Sequence, residues 1–127
     1  LVPIFEMLGK MEEKWLAAEI RPLALEKGSG KVKVFHILIV GVRDGYKGKG
    51  LAGRVLKESL ELAASKGFSH AVAEATAVFS QSAFQTLGFD SKQEYMVEYD
   101  TYISDDGSRP FEGLRIPPYC KLVTKSL

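Results

Sequence analysis

The sequence predicts an α/β fold of α+β-like organisation, built on a mixed central sheet with flanking helices. Three observations predict it. A short β-branched run, VFHILIVGV at Val34–Val42, leads through a glycine-rich turn into an apolar-striped helix at Leu51–Lys66. A second strand signal follows at Phe68–Thr76, so strand, helix and strand form one βαβ unit whose strands run parallel. Two further strand signals, Glu94–Ile103 and Cys120–Thr124, read as antiparallel additions.

The elements follow in order. Residues 3–20 place Ile4, Leu8, Met11, Trp15 and Ala18 at helical spacing, with Glu12, Glu13 and Lys14 between them. That predicts an amphipathic packing helix without chemistry of its own. Pro3 suits its first turn, and Lys27-Gly28-Ser29-Gly30 is a loop. The Val34–Val42 run is short and nearly continuous, the pattern of a strand buried on both faces. Gly41 within it marks a bulge or a close backbone approach by a ligand. In the next helix Leu51, Val55 and Leu62 line one edge of the apolar face, Leu56, Leu60 and Ala63 the other, and Gly67 ends it. Ser80–Leu87 is a short helix stopped by Gly88. Asp105-Asp106-Gly107 and Pro117-Pro118 punctuate a long loop before the last strand.

A chain of 127 residues fits one domain, 1–127, with a single core. With 46% hydrophobic and 26% charged residues, it is neither disordered nor fibrous. One cysteine, Cys120, forbids an internal disulfide and fits a reducing, cytoplasmic compartment. A net charge of +1 argues against a dedicated nucleic-acid binder. The longest apolar run, Ile37–Val42, falls far short of the ~20 residues that span a membrane. No secretory leader is visible, and a start at Leu1 reads as a fragment or processed piece.

Charge is uneven. Arg43–Lys57 sums to +4 around the glycine turn, and Asp90–Asp106 sums to −5. A glycine turn that opens a helix leaves backbone N–H groups unpaired at the positive end of the helix dipole, a good place for a small anion. Three motifs compete there. A P-loop needs Lys and Ser/Thr after the last glycine; Leu51-Ala52 follows Gly50, so it fails. Gly48-Lys49-Gly50-Leu51-Ala52-Gly53 matches the dinucleotide fingerprint, with Glu74 lying 21 residues past Gly53. That fingerprint wants the strand to run straight into the first glycine, and here the polar Arg43–Lys47 intervenes. The third is acyl-CoA binding: Val42, four residues, Lys47, Gly48-Lys49, Gly50, Leu51 and Ala52 fit V-x-x-x-x-[Q/R]-x-x-G-x-[G/A]. Lys47 keeps the cation but loses the planar fork of the usual Arg.

That motif is the signature of the GNAT acetyltransferase superfamily, and SQSAFQTLGF at Ser80–Phe89 resembles its second signature. The pairing of IVGVRDGYKGKGLAGRVL with EATAVFSQSAFQTLGF most resembles the arylalkylamine N-acetyltransferases, including the dopamine-acetylating type. The resemblance implies a GNAT fold whose parallel strand pair splays, with the N-terminal strands and two helices absent from this chain. The exposed edge of the first strand is then an aggregation risk, and a homodimer that covers it is expected.

By the same resemblance, Val40, Gly41 and Val42 lie beside the pantetheine and thioester of acetyl-CoA. Lys47, Gly48, Lys49, Gly50, Leu51, Ala52 and Gly53 offer backbone N–H groups to its pyrophosphate. The acceptor is a small primary amine, which arrives protonated because its pKa lies near ~10.4. The oxyanion of the tetrahedral intermediate needs a donor worth about 3–4 kcal/mol, expected from a backbone N–H at Val40–Val42. The superfamily's Tyr general acid is replaced here by Phe84. Ser80 and Thr76 stand where the insect-type relatives carry implicated serines, although Ser and Thr also commonly cap helices. His36 stands where vertebrate-type relatives carry a histidine that passes protons, against the plain reading of a strand histidine. Glu74 and His70 read as structural, and the usual catalytic glutamate belongs to the absent N-terminal part.

His36 and His70 have no Cys or carboxylate cluster in sequence, so no metal is expected. Cys120 reads as a buried structural thiol. The acidic stretch Asp90–Asp106 is a candidate attractor for a cationic amine, against the plainer reading of a solvated strand and loop. The function expected is acetyl transfer from acetyl-CoA to a small amine, an arylalkylamine being the nearest type. The alternatives are a nicotinamide-dinucleotide oxidoreductase domain and a non-catalytic CoA-binding or interaction module.

Overall fold

A computed structural model describes residues 2–28, 31–38, 43, 45–48 and 50–127. The elements are α1 (Val2–Trp15), a π-helical turn (Leu16–Ile20), α2 (Arg21–Glu26), β1 (Val34–Ile37), α3 (Leu51–Ser65), β2 (His70–Ala75), α4 (Val78–Thr86), β3 (Asp90–Glu98) and β4 (Tyr119–Ser126). They build a four-stranded mixed sheet in the order β1-β2-β4-β3. β1 and β2 are parallel, in register from Val34↔His70 to Ile37↔Ala73. β4 runs antiparallel to both of its neighbours. This is the mixed sheet expected from the sequence.

The first helical stretch is longer than predicted. It continues past residue 20 because Pro22 sits in the first turn of α2, where the missing N–H has no bond to lose. The π turn absorbs the mismatch: the Arg21 N–H bonds the Leu16 carbonyl, five residues back. Ala18 is exposed, and the buried stripe is Met7, Met11 and Trp15.

The sheet separates two apolar layers by strand alternation. On one face Val72, Tyr95, Tyr99, Cys120 and Leu122 pack with Met7, Met11 and Trp15 of α1. On the other, Ala71, Ala73, Ala75 and Val123 pack under Leu56 and Leu60 of α3 and Phe84 and Phe89 around α4. The alanines of β2 let the two helices sit close to the strand. In α3 the buried face is Ala52, Leu56, Leu60 and Ala63, whereas Val55 and Leu62 are each 57% exposed, so only one of the two predicted edges enters the core. β3 starts earlier than expected and ends at Glu98, and its pairing slips between Ser91 and Met96.

β1 differs most from its expectation. All four of its residues are half-buried rather than enclosed on both faces, because it is the edge strand among those described. Its pairing ends at Ile37↔Ala73 while β2 runs on to Ala75. The splay expected beyond that point, with Val40, Gly41 and Val42, lies outside the described residues, as does Lys49.

Candidate functional site

The glycine turn opens α3 in the manner the sequence requires. Gly48 has φ 80° and Gly50 φ 70°, left-handed values that favour glycine. Gly50 is the N-cap, without a side-chain cap, and no acidic residue stands in the first turn. A helix start leaves its first N–H groups without intrahelical partners. A Cβ built on Gly48, Gly50 or Gly53 meets nothing within 4 Å, so protein packing does not account for these glycines. Lys47, Gly48 and Gly50 are exposed, Leu51 and Gly53 half-buried, and Ala52 buried.

Ala52 links the turn to a cavity of about 260 Å³ where the β1–β2 pairing ends. Ile37, Leu38, Leu56, Ala73, Phe79 and Phe84 supply apolar walls, with Glu74, Thr76 and Ser80 also along its lining; the Glu74 side chain itself turns to the other face of the sheet, onto His36. The structure places Ser80 and Thr76 on the wall of a cavity that Ala52 of the turn also lines. Their local roles differ. Ser80 Oγ accepts the Ala77 N–H at 3.2 Å and donates to the Ala77 carbonyl at 3.0 Å, tying down the start of α4. Ala77 has no side-chain acceptor to return, so only half of a capping box exists. Ser80→Ala is expected to cost about 1 kcal/mol of stability, read from the urea midpoint. The Thr76 side chain is exposed, and its carbonyl accepts the Tyr99 hydroxyl at 2.7 Å. Gln81 Nε2 donates to the carbonyls of Ala75, at 3.1 Å, and Tyr119, at 2.7 Å. Tyr99 and Gln81, not singled out in the sequence, thus fix the β2–α4 corner. Phe84 is a core side chain that meets Phe89 edge-on at 4.9 Å.

His36 is not a lone strand histidine. It pairs with Val72, so Glu74, two residues along β2, projects on the same face. His36 Nε2 donates to Glu74 Oε2 at 2.7 Å, and Nδ1 lies 3.5 Å from Glu12 Oε1 on α1. One potential ligand atom from each of these three residues lies within 4.8 Å of the others. This corrects the expectation that no carboxylates accompany the histidines: Glu12 and Glu74 reach His36 only through the packing of α1 and β2 on β1. The carboxylates of Glu74 and Glu12 face opposite ring nitrogens of His36. Exposure rises outward, from 7% at the Glu74 side chain to 24% at His36 and 34% at Glu12.

The hydrogen bond to Glu74 raises the His36 pKa above its ordinary value; burial opposes this, and the fields of Glu74 and Glu12 add to it. A proton on His36 therefore stabilises the fold. That contribution is complete below the unfolded value of about 6.5 and is lost as pH rises through the higher folded value. The urea midpoint of the wild type, measured against His36→Gln, is expected to fall across that window. A constant difference between the two proteins would refute the coupling.

The remaining candidates separate cleanly. Burial pushes the Cys120 thiol up to about 11, which leaves it protonated and structural. His70 bonds Ser69 Oγ at 2.8 Å, and burial lowers its pKa. The acidic stretch is engaged locally: Asp100 accepts the Gly113 N–H and faces Arg109 and Arg115, Asp105 pairs with Lys10, and Asp106 accepts from Ser108. None of these three lines the cavity. A dinucleotide fold is disfavoured by the sheet, which has one parallel pair among its described strands and two antiparallel ones.

No family model matches the chain. Solved structures do. Arylalkylamine N-acetyltransferase 2 from Aedes aegypti superposes with a TM-score of 0.65 at 29% identity, over 97% of this chain and 61% of its own. Mosquito arylalkylamine N-acetyltransferase like 5b gives 0.67 at 25% identity, over 88% and 51%. The C-terminal condensation domain of Ebony, solved with β-alanyl-dopamine, gives 0.79 over 100% of this chain and 57% of its own, at 19% identity, a likeness of fold alone. The chain has the GNAT acetyltransferase fold, and its structural neighbours include arylalkylamine and agmatine N-acetyltransferases. It spans between half and about three fifths of the two mosquito chains.

Proposed function

We propose that this chain is part of an acetyl-CoA-dependent N-acetyltransferase that acylates a small primary amine of the arylalkylamine type. The observation behind this reading is the junction of the uncapped α3 N-terminus with the cavity through Ala52. Pyrophosphate would rest on the backbone N–H groups of the Lys47–Gly53 turn, and the thioester would reach the cavity beside Glu74, Thr76 and Ser80. Acetyl-CoA supplies the activated acyl group, and the chain supplies an anion cradle and apolar walls. The single, buried cysteine supports a cytoplasmic setting. No helix among the described residues is long and apolar enough to cross a membrane.

Calorimetric titration of acetyl-CoA and, separately, NADH tests this reading. Saturable binding of acetyl-CoA, followed by acetylation of an amine such as phenethylamine, is expected. NADH binding without acetyl-CoA binding would overturn it. Binding of acetyl-CoA without turnover would favour a non-catalytic CoA-binding module.

A further inference from the structure

We propose that His36 and Glu12 form a binding site for one divalent ion of the zinc class on the α1 face of the sheet, with Glu74 behind them orienting the histidine. The inference does not depend on the acetyltransferase reading. It starts from the ring of His36. Nε2 gives its hydrogen to Glu74 Oε2 at 2.7 Å, a short bond to a side chain that is only 7% exposed. A neutral imidazole carries one N–H, so that bond leaves Nδ1 with its lone pair. Nδ1 lies 3.5 Å from Glu12 Oε1, itself an acceptor. Two acceptors thus meet across a gap wider than the roughly 2.7–3.2 Å of an N–H···O hydrogen bond. Two donors that each stand about 2.0–2.1 Å from one tetrahedral zinc ion are about 3.4 Å apart, so the gap has the width that a shared ion requires.

The surroundings suit such an ion. A ligating histidine ordinarily donates its other N–H to a carboxylate, which fixes the tautomer and ring orientation and makes the ligand more basic. Glu74 holds that place, reaching the ring from β2 while His36 stands on β1 and Glu12 on α1. One potential ligand atom from each of the three lies within 4.8 Å of the others, so both carboxylates act on a cation at Nδ1. Exposure of 24% at His36 and 34% at Glu12 gives an ion a path from solvent and room for waters to complete its shell. A mixed imidazole and carboxylate pair favours zinc over Mg²⁺ and Ca²⁺, which take all-oxygen shells. An ion held there clips α1 to the edge strand β1. A proton on Nδ1 competes for the same place, so binding weakens as pH falls.

The test uses the full-length protein, freed of metal by chelation and titrated with ZnCl₂ at about pH 8, where a histidine proton competes least. One Zn²⁺ per chain is expected at this site, with a melting temperature raised by about 5 °C or more at about a hundred times Kd. MgCl₂ is expected to leave the melting temperature unchanged. Glu12→Gln and His36→Gln are each expected to weaken zinc binding by about tenfold or more, and Glu74→Gln by about ten- to a hundredfold through the unfixed ring. Co²⁺ in place of zinc is expected to shift and broaden the His36 ring signals in NMR spectra. Glu12 is half-exposed, so Glu12→Gln decides the question if the variants at His36 or Glu74 fail to fold. The absence of saturable zinc binding, an equal response to MgCl₂, or His36 signals unmoved by Co²⁺ overturns the inference. So does a folded Glu12→Gln whose zinc affinity stays within about threefold of the wild type; the Glu12–His36 contact is then an ion pair to a protonated ring. None of these results bears on the acetyltransferase reading, which stands or falls on acetyl-CoA binding and turnover.

Discussion

Gly50→Val is expected to abolish acetyl-CoA binding, with a loss of about a hundredfold or more in affinity, while the fold persists. Gly50 caps α3 at φ 70°, and nothing lies within 4 Å of where its Cβ would stand. A β-branched residue there costs roughly 1–3 kcal/mol of backbone strain and puts two methyl groups where phosphate oxygens must approach N–H donors. Gly53→Ala is the matched control. Gly53 lies inside the helix, also with open space around it. Alanine there keeps the N–H and is expected to raise stability by about 0.5–1 kcal/mol, with binding held within about threefold. Calorimetry with circular dichroism on the pair separates backbone cradling from general damage. Retained affinity in Gly50→Val would remove the turn from the acyl-CoA site.

Trp15→Ala is expected to destabilise the chain by about 3–5 kcal/mol, lowering the melting temperature by roughly 10–20 °C. Trp15 is 2% exposed and lies in the cluster that joins Met7, Met11, Val72, Tyr99, Cys120 and Leu122. It seats α1 on the sheet, and α1 also bears Glu12. The substitution should therefore loosen the Glu12–His36 contact as well as the core, and the His36 ring titration, followed by NMR, should drop toward its ordinary value. A melting temperature within about 3 °C of the wild type would mean that α1 contributes little to the core.

Much of the fold was legible along the chain because its signals are local. The helix from Leu51, the parallel crossover, the short helix after Thr76 and the left-handed glycines each follow from patterns within about twenty residues. The candidate ligand turn was legible for the same reason. The misread boundaries have physical causes that single positions do not announce. Pro22 prolongs the first helical stretch by sitting in a helix start. Val55 and Leu62 look like core at helical spacing, but α3 buries only the face toward Ala71 and Ala73. Val34–Ile37 has the composition of an enclosed strand and yet lies at the sheet edge, where one flank has no described neighbour.

Glu74 shows the other limit. An acidic residue among the small apolar residues of His70–Ala75 was visible in the sequence, and alternation alone puts it on the face of Val72. Nothing local says that a histidine 38 positions earlier will hold its carboxylate, or that Glu12 will face that ring from a helix. Backbone conformation is set by near neighbours, so the sequence by itself determined the βαβ unit, the glycine cradle and the identity of the polar residues at the β2–α4 corner. Charge pairing and burial depend on groups brought together by packing across the whole chain. The cavity wall was therefore decided only when α3 and α4 packed on one face of the sheet, and the Glu12–His36–Glu74 trio only when α1 packed on the other.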